Sequence, residues 1–267
     1  MTSDDYVLGT HDDEIARLEF QHAVWRERAL EAWQRAGIAP GHTVIDLGCG
    51  PGFAALDLAD RVGPTGRVIA LDRSQRFLDS LARRADRLPI EPRACELDVD
   101  ELPARDADAA WARWVFCFVE RPRELITRVA RALRPGGVFV AHEYFDYATW
   151  RAAPRDPDIE SFVAEVMASW RAHHGEPDIA LDLVGWLADA GFELTSVRPI
   201  VDVVPPSSQR WIWMRRFGEV GLQRLVELGR VTPARAAEIA GAWTRCEARA
   251  GIHMVTPGVL EIVAVRR

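Results

Sequence analysis

The segment Asp46-Leu47-Gly48-Cys49-Gly50-Pro51-Gly52 constrains this chain more than any other part of it. An apolar run, Thr43-Val44-Ile45, leads into it, and the stretch from Phe53 to Val62 that follows has apolar residues at helical spacing. The pattern predicts a strand, a glycine turn and a helix. Glycines at such a junction let the backbone approach a ligand with no Cβ in the way, and the free N–H groups of the helix start face whatever binds. A tight strand-to-helix turn with no ligand would also use glycine. Asp72 separates the two readings, because it closes the next predicted strand, Arg67–Asp72, roughly twenty residues further on. From there a carboxylate can accept from both hydroxyls of an adenosine ribose. Its plainer role is a charge at a helix start beside Ser74. Both features in one β-α-β unit predict a nucleoside site.

The same rhythm continues along the chain. Ser74 is placed to cap a helix, a third strand is weakly written over residues 92–97, and a fourth runs over residues 107–114. A helix opens near Pro122, and Gly136-Gly137 release a fifth strand, residues 138–142. Strands alternating with helices predict an α/β fold: a Rossmann-like doubly wound sheet, mostly parallel, with an antiparallel last strand over residues 259–265 and a helical cap. One domain is expected to hold all of this. Residues 1–40 would form an N-terminal helical lid, 41–145 the cofactor-binding core, 146–204 helices and the sixth strand, 205–251 a helical cap insertion, and 257–267 the last strand.

Composition narrows the chemistry. All 33 basic residues are arginine, so no amine is present to form an imine or to serve a Walker-type phosphate loop. The formal net charge of -7 and the mixing of Arg with Glu leave no basic stripe, so no nucleic acid is expected as a partner. No apolar run approaches the roughly 18 residues of a membrane span, and Met1-Thr2-Ser3-Asp4-Asp5 is acidic where a secretory signal is basic. A cytoplasmic protein, monomer or homodimer, with no membrane partner is expected. Cys49, Cys95, Cys117 and Cys246 stand singly and read as reduced thiols, and His173-His174 lacks further ligands at metal spacing, so no metal is expected.

A dinucleotide fingerprint wants a glycine three positions after the second one, where this chain has Phe53. The successive segments Val44 to Gly52, Val68 to Asp72, Leu97-Asp98-Val99 and Leu133 to Gly137 instead resemble the motifs of class I S-adenosylmethionine-dependent methyltransferases. The likeness is greatest to the small-molecule type typified by ubiquinone and menaquinone biosynthesis enzymes, and it covers about half of the chain, Gly41 to Tyr144. It implies S-adenosyl-L-methionine as cofactor and a small-molecule acceptor. By position it implies Gly48, Gly50 and Gly52 along the methionine and ribose portion, Asp46 near the amino group, and Asp72 on the ribose hydroxyls. It further implies Asp98 and the backbone N–H of Val99 on the adenine, Ala112 and Arg113 at the methionine end, and Ser74 touching the adenosine. An NAD-dependent oxidoreductase and a non-catalytic S-adenosylmethionine-binding protein are the alternatives.

The acceptor side is read from residues that gather after the strands. A methyl on a sulfonium is already a strong electrophile, so alignment in a dry site is the main task, with a base needed only for acceptors that must lose a proton. His142 and Glu143, after the fifth strand, are the candidate catalytic bases, set against a purely structural role at the sheet edge. His22 is a weaker candidate. Ten tryptophans are a heavy load. Tyr144, Trp150, Trp211 and Trp213, with His22, are the candidate substrate-binding residues, and aromatic walls of that kind suit an aromatic or hydrophobic acceptor.

Overall fold

The computed structural model describes residues 12–267, so the start of the expected N-terminal lid lies outside the described residues. Five strands come first: β1 (Thr43–Leu47), β2 (Arg67–Asp72), β3 (Ile90–Ala94), β4 (Ala107–Arg113) and β5 (Leu133–Asp146). After them come β6 (Arg151–Ala153), β7 (Phe192–Ile200), β8 (Val203–Val204), β9 (His253–Val255) and β10 (Gly258–Arg266). The helices are α1 (Asp12–Arg35), α2 (Phe53–Val62), α3 (Gln75–Arg84), α4 (Pro122–Ala132), α5 (Pro157–Arg171), α6 (Ala180–Asp189), α7 (Gln209–Glu227) and α8 (Pro233–Glu247).

Seven strands form one sheet in the order β3-β2-β1-β4-β5-β10-β7. β1 to β5 are parallel to their neighbours among themselves, whereas β10 runs antiparallel to both β5 and β7. The expected antiparallel last strand is therefore present, and it sits inside the sheet rather than at its edge. Side chains alternate along each strand. Val44, Val68, Ala109, Trp111 and Val140 face one way, onto Trp33 of α1 and Ala55 and Leu58 of α2. Ile45, Leu71, Ala110, Phe139 and Ile262 face the other, onto Leu125 and Ile126 of α4 and Leu183 of α6. Covering on both faces is why these strands read as near-continuous apolar runs.

Local sequence sets where the helices begin. Asp156, Ser208 and Thr232 each accept a hydrogen bond from the first turn of α5, α7 and α8, and Pro157 and Pro233 occupy the first helical position, where a missing N–H does no harm. Ser74 caps α3, its Oγ accepting from Phe77 N. The weakly written third strand lies earlier than expected, at Ile90–Ala94, because an edge strand needs little apolar alternation. Residues 205–251 contribute α7 and α8, which pack on each other, on α5 and, through α7, on α1. A second small sheet, β6-β9-β8, ties the chain on either side of them.

Candidate active site

β1, β2 and β4 end at one edge of the sheet, and a cavity open to solvent lies over that edge. Its polar end is built by the glycine turn. Gly50 has φ 54° and open space where a Cβ would point, so its backbone is bare to the cavity. Gly52, φ 85°, opens α2 and lies so close to Leu81 that a Cβ there would collide with it. Asp72 ties this turn to the next one: its Oδ2 accepts from Gly50 N and its Oδ1 from Ser74 N, both at 2.8 Å. Burial raises the Asp72 carboxyl, while the amides of Ser74 and Gly50 pull it back.

Two groups of opposite charge face each other deeper in. Asp46 is 2% exposed and its Oδ2 has no partner among the described residues. Burial pushes its carboxyl up to about 7, against the pull of Arg113. Arg113, at the end of β4, is pushed down to about 10 by burial, and its Nη1 likewise has no partner among the described residues. Orphaned buried polar groups each cost about 1–3 kcal/mol, so both point to a ligand that would satisfy them.

The other end of the cavity is aromatic and apolar, lined by Leu18, Trp114, Val115, Phe118 and Val119 with the amide of Gln21. Trp114 has φ 52°, a strained backbone for a bulky residue. It is held there by its N–H, which donates to His142 O at 2.9 Å, and by Tyr144 and Trp213, whose rings stack parallel to it at 5.3 and 5.6 Å.

Of the expected site residues, Asp46, Gly48, Gly50, Asp72, Asp98, Arg113 and His22 line this cavity. Gly52, Ser74, Val99 and Ala112 do not. Gly52 and Ser74 shape the turns instead. Ala112 is buried inside the sheet, paired with Leu47 and Ala141. Val99 points its side chain to the surface and its N–H donates to Glu96 O at 3.1 Å, so it is not free for an adenine.

The candidate bases are corrected by the structure. His142 is fully buried, 3.4 Å from Glu261 Oε2 of β10, and Trp111, which does line the cavity, packs edge-on against its ring. Burial lowers the His142 imidazole, in spite of Glu261. Glu143 is also fully buried, and its Oε1 accepts from Val115 N at 2.7 Å and Phe116 N at 3.0 Å. Neither borders the cavity. Tyr144, Trp150, Trp211 and Trp213 are corrected as well: all are at most 5% exposed and none lines the cavity. Tyr144 and Trp213 stand one layer behind it, against Trp114. Trp211 donates to Glu247 and Trp150 packs among Tyr147, Phe162 and Trp243. Sequence reading passed over Trp114, Gln21 and Phe53 as wall residues. The position of Trp114 directly after Arg113 was the available signal.

A cavity at the edge of a doubly wound sheet, with a glycine turn and a strand-end carboxylate, defines a Rossmann-like α/β fold. Residues 45–141 match the family described as the methyltransferase domain. A 2-phytyl-1,4-naphtoquinone methyltransferase from Nostoc sp. is 41% identical over 32% of this chain and 37% of its own length. Two solved structures share the fold. A geranyl diphosphate C-methyltransferase from Streptomyces coelicolor A3(2) has TM-score 0.57 and 16% identity, over 92% of this chain and 80% of that one. The [4+2]-cyclase SpnF has TM-score 0.57 and 22% identity, over 90% and 80%. The chain spans about half the length of the curated relatives it matches. Among the described residues no helix is long and apolar enough to cross a membrane.

Proposed function

We propose that the protein is a methyltransferase that moves the methyl group of S-adenosylmethionine to a small, planar, aromatic or hydrophobic acceptor. The orphaned pair Asp46 and Arg113 carries this reading, because an α-amino acid brings one ammonium and one carboxylate to one place, and these two buried groups lack such partners. Asp46 would hold the amino group and Arg113 the carboxylate. The bare backbone of Gly48 and Gly50 would lie along the ribose and the sulfur. Asp72, each of whose oxygens already accepts one amide, keeps a lone pair on each for a ribose hydroxyl. Asp98 Oδ1 accepts from Arg121 N, which leaves Oδ2 for an adenine amino group. When bound, the cofactor supplies a methyl on a positively charged sulfur.

Trp114, Leu18, Val115 and Phe118 form a dry wall that suits a flat ring, and the naphthoquinone enzyme among the relatives supports an acceptor of that shape. The residues that line the cavity hold and orient rather than take a proton. His22 Nδ1 already accepts from Arg113, and Asp46 is committed to the amino group. Catalysis then rests on alignment and exclusion of water, which suits an acceptor that is nucleophilic without help from the protein. The test is twofold. Calorimetry should show micromolar binding of S-adenosylhomocysteine and none of NAD, and a labelled methyl group should pass to planar aromatic acceptors that are nucleophilic in solution, such as aromatic amines and already ionised phenols. Binding of NAD alone would overturn the reading, and cofactor binding without transfer to any acceptor would favour a non-catalytic binding protein.

A further inference from the structure

Arg113 does not stand alone at the cavity wall. Its Nη2 lies 3.0 Å from His22 Nδ1, and His22 Nε2 lies 3.0 Å from Asp57 Oδ2. A guanidinium can only donate, so Nδ1 must be the accepting nitrogen; Asp57 then takes the proton on Nε2, and the tautomer of His22 is fixed from both sides. Asp57 is itself anchored by Arg26, whose Nε and Nη2 donate to Oδ2 and Oδ1 at 2.8 and 3.0 Å. The imidazole also lies against the ring of Phe53, 6.1 Å away and nearly parallel. Three elements thus meet in one chain of hydrogen bonds that runs inward from exposed Arg26: α1 gives His22 and Arg26, α2 gives Asp57, and β4 gives Arg113.

We propose that His22 is a positioning residue for the cofactor: by accepting from Arg113 Nη2 it turns the unpartnered Nη1 toward the ligand's carboxylate and keeps Arg113 from closing onto Asp46. The inference rests on the proposed cofactor. Without the imidazole acceptor, both terminal nitrogens of Arg113 would lack partners in a buried place, and the strongest acceptor within electrostatic reach is Asp46. That collapse would fill the amino-acid subsite from within and leave the nucleoside subsite, built by Asp72 and the glycine turn, untouched. Protonation of His22 has the same outcome, since it puts a proton on Nδ1 opposite a donor. The charged groups facing the imidazole are Asp57, Arg26 and Arg113, with Asp46 beyond Arg113. Carboxylate binding should therefore weaken as the medium becomes acid.

The experiment compares S-adenosylhomocysteine with 5′-methylthioadenosine, which has the same nucleoside and thioether but no amino acid, by calorimetry on wild type, His22→Gln and His22→Asn. Gln reaches the Nε2 position and can still donate to Asp57, but it leaves Nδ1 without a counterpart. Asn places its Oδ1 near the Nδ1 position and can still accept from Arg113. The expected result is a loss of about tenfold to a hundredfold for S-adenosylhomocysteine in His22→Gln. Methylthioadenosine should stay within about twofold, which also shows that the variant is folded, and His22→Asn should recover most of the lost affinity. Equal losses for the two ligands, or an undiminished affinity for S-adenosylhomocysteine in His22→Gln, would overturn the inference. If wild type binds neither ligand, it is the cofactor assignment that fails, and this inference with it.

Discussion

The two ends of the cavity are held by different means. At the polar end the positions of Gly48, Gly50 and Asp72 follow from backbone: a turn with left-handed residues, a strand end, and two amides tied to one carboxylate. At the aromatic end the position of Trp114 follows from packing, with Tyr144 on one side and Trp213 on the other, and Trp25 set edge-on to both Trp114 and Trp213. A backbone-built site depends on few residues and keeps its shape when distant side chains change. A packing-built site depends on residues from α1, α7, β4 and β5 together, so damage in any of them should reach the acceptor.

The sharpest way to break this comparison is Trp213→Ala. Removing a ring that is 3% exposed should destabilise the protein by about 3–5 kcal/mol, seen as a lower thermal midpoint, and should raise KM for the acceptor far more than for the cofactor. Equal effects on both would mean that the two ends are one structural unit. Asp72→Ala comes next. Losing a carboxylate that holds Gly50 N and would hold the ribose should weaken S-adenosylhomocysteine by about 1.5–3 kcal/mol, and acceptor binding should change little.

Glu143→Gln tests a joint between the two ends, because Glu143 fixes the amides of Val115 and Phe116 behind the aromatic wall. Burial pushes its carboxyl up to about 7, so the neutral amide is a fair substitute below that pH. The folded wild type holds a proton that the unfolded chain would release, so it loses stability as pH rises from the ordinary Glu range to about 7 while the variant does not. Urea titrations should show any deficit of Glu143→Gln, near 1 kcal/mol, in acid and its shrinking or reversal at alkaline pH.

Asp46 allows a smaller, signed prediction. Its folded value is raised to about 7, so the folded protein holds a proton that the unfolded chain would release, and its contribution to stability falls as pH rises from the ordinary Asp range to about 7. A ligand ammonium needs the charged carboxylate. S-adenosylhomocysteine affinity should therefore rise severalfold as pH climbs through about 7 and then level, and Asp46→Asn should flatten the curve. The smallest effect belongs to His142→Gln: kcat within about threefold of wild type in the folded enzyme is expected for a residue outside the cavity. A loss of a hundredfold would restore it as the base.

What the sequence made legible follows the same division. The unit from Thr43 to Asp72 could be read because strand period, glycine turn and capping serine are local, and the structure gives α2 and β2 the bounds expected from the pattern. The places of His142 and Glu143 were not legible because their partners are distant in the chain: Glu261 of β10 arrives from 119 residues away to meet His142, and Glu143 binds the amides of Val115 and Phe116. Against burial, His142 and Arg35 hold the Glu261 carboxyl at about 2, so an ion cluster stands where a base was expected. The tryptophans misled by one layer: Trp213 belongs to the wall's support, with its indole N–H spent on Gln21. Val99 was lost to a turn through its contact with Glu96 O, which no residue pattern announces.

The place of β10 in the sheet also bears on how the protein is made. Residues 258–266 lie between β5 and β7, so the gap between those strands closes only after a segment more than 50 residues beyond β7 has been made. Until then β5 and β7 each present an unpaired edge, and the hydrogen-bond partner of buried His142 has not been synthesised. The β-α-β unit around the glycine turn needs nothing from that strand. Nascent chains should therefore form the glycine-turn unit early and remain open to chaperones until residues 258–266 have been made.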